Sequence, residues 1–181
     1  GLKLHPQVKD RLHDIKKIVM ITHENTIRIS DKKGPLSNPA DRDHCVRYTT
    51  AIGLIKGSLT AADYEDDVAS DPRIDMLRNK MECVEKKQWN RDYLDPNKRS
   101  VPCAVQVFFR DGSKTDNIVV EYPLGHRRRR KEGVPQLEAK YKANLARCFP
   151  QKQQEAILER CEDRRRLETT PVHEFVDLFV V

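Results

Sequence analysis

The sequence predicts an α+β fold in which a small, mostly antiparallel sheet carries helices and three further helices follow it. Three observations predict it. Val101, Cys103, Val105, Val107 and Phe109 alternate onto one face, and Asp111-Gly112 separates them from a second extended run at 118–122, the pattern of a β-hairpin. Residues 17–22 are rich in Ile, Val and Thr and read as a strand, with another strand expected around Cys83. After Pro135 the apolar residues recur at three- and four-residue spacing, which is a helical period.

Each element follows in order. The Ile-, Val- and Thr-rich composition extends over 18–29, and Gly34-Pro35 and Asn38-Pro39 then mark a loop. A helix is expected from about 40 to 56, because Cys45, Tyr48, Thr49, Ile52 and Ile55 share a face. Asp41 and Asp43 fall in its first turn, where the helix dipole favours anions, and Gly57 is its natural stop. Thr60 can cap a short helix through about Ala69. Asp71-Pro72 starts another, with Ile74, Leu77 and Met81 inward, since aspartate caps and proline suits the first helical position. Residues 123–131 read as a loop. Leu137, Tyr141, Leu145 and Cys148 make one helical stripe, a helix from Pro150 to about Leu167 follows, and a last one from Thr170-Pro171 turns Val172, Phe175, Val176 and Phe179 inward. These three helices have wide apolar stripes and little sheet to cover, so a second, helical body is expected.

Composition bounds the function classes. Of the 181 residues, 38% are hydrophobic and 34% charged, and mean hydropathy is −0.74, which describes a polar globular chain rather than a disordered one. No apolar run approaches the ~18 residues of a membrane-spanning helix, and the opening GLKLHPQVKD lacks the apolar stretch of a signal peptide. The five cysteines are odd in number and nowhere form a CxxC pair, so reduced thiols in a cytosolic or organellar compartment are expected.

The formal net charge is +6, and Arg127, Arg128, Arg129, Arg130 and Lys131 account for all but +1 of it. This is a near-neutral chain with one basic patch. The patch reads as a solvated charge run, as an anion site, or as a nuclear-import or nucleic-acid surface. No aromatic residue interleaves with it, so it offers no stacking platform for single strands. A binding module that set about four of these cations on duplex phosphates would show a log–log salt slope of about −3.6, and a flat salt dependence would dispose of it.

The densest polar cluster is Asp41-Arg42-Asp43-His44-Cys45. On a helix Asp41 and His44 share a face, but Asp43 points about 100° away from His44; HExxH is absent, and no metal is expected. The cluster reads either as an acidic first turn with a packed histidine or as a substrate site, in which Arg42 grips a carboxylate with its planar fork and His44 moves a proton. His126 follows Gly125 and precedes the arginines; it reads as a base or hydrogen-bond donor beside an anion site, or as an exposed loop histidine. Lys32-Lys33-Gly34-Pro35 is a turn with two cations. His23-Glu24 at a strand end and His173 on the last helix carry weaker signals. No GxSxG, P-loop, GxGxxG or iron–sulfur ligation pattern is present. These residues indicate a small anionic ligand without naming a reaction.

The string itself supplies more. Thr22-His23-Glu24, Asp31-Lys32-Lys33-Gly34-Pro35-Leu36, Asn38-Pro39-Ala40-Asp41-Arg42-Asp43-His44-Cys45, Leu59-Thr60-Ala61-Ala62-Asp63-Tyr64-Glu65-Asp66, Asp71-Pro72-Arg73-Ile74-Asp75 and Glu121-Tyr122-Pro123-Leu124-Gly125-His126-Arg127-Arg128-Arg129 resemble the C-terminal part of the MmgE/PrpD family, and so does the ending from Pro171 to Leu178. The resemblance covers nearly the whole chain. It implies that residues 14–133 form an α+β lid over an active site, that 134–181 rejoin a large helical domain, and that the N-terminal part of that domain is absent from this chain. It implies loss of water from 2-methylcitrate to give 2-methyl-cis-aconitate in propionate breakdown, or dehydration or decarboxylation of another tricarboxylic acid. Most acting residues are then expected outside the chain, and the fragment alone is expected to be inactive. The lid-side candidates are His44 and His126 for catalysis and Arg42, Lys33 and Arg127 for substrate binding. No cofactor is implied. A homodimer is implied for the full-length enzyme, in the cytoplasm or, in a eukaryote, the mitochondrial matrix, with no membrane or nucleic-acid partner.

Overall fold

The computed structural model describes residues 1–180, which divide into two compact units, 1–123 and 124–180. The first is built on a four-stranded mixed sheet: β1 (Ile15–Thr22), β2 (Met81–Glu85), β3 (Cys103–Phe109) and β4 (Ile118–Val120), in the order β2-β1-β3-β4. β1 runs parallel to β2 and antiparallel to β3, and β3 and β4 form the expected antiparallel hairpin pairing. Ile18 lies opposite Met81 on one side and Val107 on the other, and Met20 lies between Cys83 and Val105. The period of two therefore puts Ile18, Met20, Val105 and Val107 on one face. That face shares a core with Tyr48, Ala51, Ile52 and Leu54 of α4 (Val46–Lys56) and with Ile74 and Leu77 of α6 (Pro72–Arg78).

Residues before 14 belong to this core as well. Leu4, Val8 of α1 (His5–Val8) and Leu12 are buried in it, and the His5 ring reaches α4 to bond the Leu54 carbonyl at 2.9 Å. At the other end, the second compact unit begins at Leu124. A Cβ at Gly133 would stand 2.5 Å from the Leu124 carbonyl oxygen, so this close approach within the second unit requires glycine.

Several elements differ from the sequence reading. The helix expected over 40–56 is two: α3 (Pro39–Asp43), capped by the Asn38 side chain on the Asp41 N–H, and α4, with an extended Cys45 between them. Asp and His are weak helix formers, and the extended Cys45 is the N-cap of α4, its carbonyl accepting from the Thr49 N–H while its buried thiol bonds the Lys32 carbonyl. The Ile- and Thr-rich stretch after β1, for which the sequence reading assigns no element, is α2 (Glu24–Ser30). Thr60 does cap, through a reciprocal box with Asp63, but the box closes a 3-10 turn at Ala61–Tyr64 before a separate α5 (Asp66–Ala69). α6 ends at Arg78, so Met81 is buried as the first residue of β2 rather than as helix. Val101 precedes β3 and is exposed, and α7 (Lys87–Leu94) follows β2 where no helix was read.

The second unit is helical: α8 (Arg130–Cys148), α9 (Gln151–Glu162), α10 (Arg164–Thr169) and α11 (Val172–Asp177). The arginine run is not a loop. Arg127–Arg129 form a 3-10 turn, and α8 starts at Arg130, with Pro135 inside it. The helix read from Pro150 to Leu167 breaks at Asp163, whose side chain caps α10 by accepting from the Arg166 N–H. Leu145 and Ile157 are buried, and Phe149, Phe175 and Phe179 meet edge to face. Val172, Val176 and Leu137, expected inward, are exposed at 78%, 53% and 59%. Their stripes are apolar, but among the described residues nothing within this unit covers them.

Gly57 ends α4 in the left-handed region at φ 68°, where an added Cβ would also meet the His5 ring at 2.7 Å. Gly112 has φ 86° with open space around it. Urea unfolding should therefore show a loss of about 1 kcal/mol for Gly112→Ala and a larger loss for Gly57→Ala; equal losses would mean that His5 moves aside without cost.

Candidate functional site

The residues 31–45, between α2 and α4, carry three of the sequence-predicted site residues. Lys33 is exposed and makes no hydrogen bond among the described residues. Lys32 instead turns its ammonium to Asp41 at 3.1 Å. Lys33 is thus the cation of this turn that faces solvent, as an anion site needs.

Arg42 is almost fully buried. One terminal nitrogen donates to the Tyr64 carbonyl at 2.6 Å and the other pairs with Asp66 at 2.7 Å, while Nε has no partner among the described residues. The fork expected to grip a ligand carboxylate holds the segment that begins α5. Asp66 is 85% exposed, so its carboxylate is the part of this arrangement that an incoming carboxylate can replace without opening the core.

His44 stands at the end of α3 with an exposed side chain, and its Nδ1 is paired with the Asp43 carboxylate. An Nδ1–H donated to Asp43 leaves Nε2 with its lone pair outward, the form a proton acceptor needs. His126 is held the opposite way. It caps the 3-10 turn at Arg127–Arg129, its Nδ1 accepting from the Arg128 N–H at 3.1 Å. In the neutral ring the proton then sits on Nε2, which is a donor. Arg127 is exposed on that turn, and Arg129 pairs with Glu132 at 2.7 Å. Lys33, Arg42 and His44 thus lie on the first unit, and His126 and Arg127 on the second.

Sequence reasoning missed the charged residues that shape the 31–45 segment. Arg47, on α4, has both Nε and Nη2 on the Asp31 carboxylate, and Nη1 on the carbonyls of Arg78 and Met81. Arg78 donates from Nη2 to the Gly34 carbonyl at 2.8 Å and pairs with Asp75. An arginine between Val46 and Tyr48 in an apolar stretch was the only signal available. Burial alone would push the Asp31 carboxyl up; hydrogen bonds from Arg47 and Cys83 and the charges of Arg47 and Lys33 outweigh it and hold the group below its ordinary value.

Other candidates are structural. His23 is buried, stacks on Tyr93 at 4.6 Å and bonds Thr26, and burial lowers its pKa. All five cysteines are free thiols. Burial and the bond to Asp31 push the Cys83 thiol up to about 12, the reverse of what a nucleophile requires. Among the described residues no group of three or more His, Cys, Asp or Glu is placed to hold a metal ion. A cleft of about 340 Å³ on the first unit is lined by Ile52, Ile55, Lys56, Val68, Arg73 and Ile74, among others, and includes none of the predicted site residues.

These features define an α+β domain with a clamped cationic turn, joined to a helical unit that opens with a histidine-capped arginine turn. Residues 1–164 match the family model described as the MmgE/PrpD C-terminal domain, and the chain belongs to that family. It is 56% identical over 168 residues to the 2-methylcitrate dehydratase of Escherichia coli (strain K12), covering 93% of this chain and 35% of that protein. The Cupriavidus necator protein of the same name is 55% identical with the same coverage. The mitochondrial 2-methylcitrate dehydratase of Yarrowia lipolytica is 49% identical over 183 residues, covering 99% of this chain and 35% of that protein. The chain spans about a third of the length of the curated relatives it matches.

Asp31→Asn leaves the Arg47 guanidinium buried without a counter-charge and should lower stability by roughly 3 kcal/mol near neutral pH. Because the folded pKa of Asp31 is depressed, its contribution is present above the unfolded value of about 3.9 and is lost as pH falls through the folded value. Urea midpoints of the two proteins should therefore converge in acid; a gap unchanged between pH ~7 and pH ~3 would show that the ion pair is not its source.

Proposed function

We propose that this chain is the C-terminal part of a 2-methylcitrate dehydratase, which removes water from 2-methylcitrate to give 2-methyl-cis-aconitate in propionate catabolism. The observation that carries the reading is identity of 49–56% to proteins of that name over 93–99% of the chain. In this reading residues 14–133 are a lid, and 134–181 are closing helices of a helical domain supplied mainly by sequence outside this chain. The exposed stripes of Leu137, Val172 and Val176 are the kind of surface such a domain would cover. The full-length enzyme is a homodimer of the cytoplasm or, in a eukaryote, of the mitochondrial matrix. Among the described residues no helix is long and apolar enough to cross a membrane.

The chemistry sets the roles. The substrate carries three carboxylates, and the proton removed lies α to one of them. Charge that develops on that carboxylate must be met by fixed cations. Lys33 and Arg127, both exposed, bind carboxylates, and Arg42 joins them by exchanging Asp66 for a substrate carboxylate. His44, its Nδ1–H on Asp43, offers Nε2 as an acceptor. His126, its Nδ1 occupied by the Arg128 N–H, hydrogen-bonds the departing hydroxyl through Nε2–H in its neutral ring, and the proton that completes the leaving water comes from a residue outside this chain. This acid–base route calls on no cofactor.

The full-length protein and the 181-residue chain, both given 2-methylcitrate with chelator and followed by absorbance of the unsaturated product, test the reading. Turnover is expected from the long chain and not from the short one. In the long chain His126→Ala should lower kcat by about 10²-fold; a loss under about threefold in both kcat and KM would remove His126 from the site.

A further inference from the structure

The turn that carries Lys33 has no regular structure of its own. Nor does steric necessity hold it: a Cβ added at Gly34 would meet nothing within 4 Å. Residues of such a segment are free to move unless contacts restrain them, and ordering each one costs about 1–2 kcal/mol of backbone entropy. Besides the contacts of Lys32 with Asp41 and Cys45, two arginines on other elements restrain it. On the near side of Lys33, Asp31 is bound by two nitrogens of Arg47. On the far side, the Gly34 carbonyl accepts from Arg78. The two arginines are themselves joined, since Nη1 of Arg47 donates to the Arg78 carbonyl at 3.2 Å. Both guanidinium groups are buried, with side chains 7% and 8% exposed, in a position where ion pairs are poor sources of stability compared with apolar packing.

We propose that Arg47 and Arg78 are positioning residues, which hold the turn at 32–35 so that the Lys33 ammonium is presented to a substrate carboxylate already in its bound geometry. The inference rests on the proposed dehydratase reading, in which Lys33 binds substrate. The two anchors bracket Lys33 by sequence and by contact. Lys32, the neighbouring cation, is turned away to Asp41, and its carbonyl is held by the Cys45 thiol at 3.5 Å. That leaves a single cation displayed on a restrained turn. Restraint before binding removes the ordering cost from the binding step, so its loss is felt in affinity for the substrate.

Arg78→Met keeps the buried stem and removes the donor to Gly34. In the full-length enzyme, hydrogen exchange of the amides of 32–34 and 36 should rise while that of β1 does not. KM should rise about tenfold with kcat within about threefold, the size expected for one charge-assisted hydrogen bond. Lys33→Met should raise KM to a similar extent, and the double variant should raise it no further, because both changes remove the same presented cation. Arg78→Lys, which keeps the charge and one donor, should restore part of the KM and serves in place of Arg78→Met if that variant does not fold. Unchanged exchange at 32–34 and 36 in Arg78→Met, or KM effects that multiply in the double variant, overturns the positioning role. A Lys33→Met enzyme with normal KM, alongside raised exchange in Arg78→Met, instead overturns the substrate-binding reading on which the role depends.

Discussion

The guanidinium of Arg47 ties four elements together through one group. It takes the Asp31 carboxylate at the end of α2, the Arg78 carbonyl at the end of α6 and the Met81 carbonyl at the start of β2, and it is carried by α4. A buried cation tolerates few arrangements: each N–H needs an acceptor and the charge needs a counter-charge. Meeting those demands sets where α6 hands over to β2, and hence where β2 enters its parallel pairing with β1. It also sets where the chain leaves α2 for the turn that carries Lys33. The sheet and the candidate site share this one constraint.

The two candidate histidines gain opposite characters from short-range contacts. Asp43 precedes His44 and draws on Nδ1, whereas the Arg128 N–H, two residues after His126, fills its Nδ1. In the neutral rings one Nε2 is left as an acceptor and the other carries the proton. In each case the Nδ1 contact comes from a residue within two positions of the histidine.

Much of the fold was legible because it is local chemistry. The hairpin showed as alternation around Asp111-Gly112, Asp71-Pro72 announced α6, and Gly57 closes α4 at a positive φ that glycine accepts most readily. Where local signals conflicted with packing, packing prevailed. Residues 40–56 have a continuous helical period, yet the chain breaks between Asp43 and Val46, where Cys45 is extended and buried in the core. Val172 and Val176 have the period of an inward face, yet both are exposed. Periodicity reports which residues share a face, not whether that face meets a partner.

The sequence by itself determined the fold class, the caps and turns, the family, and the segments in which Lys33, His44 and His126 lie, because these depend on residue types at short spacing. Tertiary structure alone decided which charges are buried and what they hold. Arg42, Arg47 and Arg78 look like the other arginines of a chain rich in them; only the approach of Tyr64, Asp31 and Gly34 from elsewhere in the sequence makes them clamps. Partners so separated in the chain leave no local pattern, and so the order of the Lys33 turn is a property of the folded molecule.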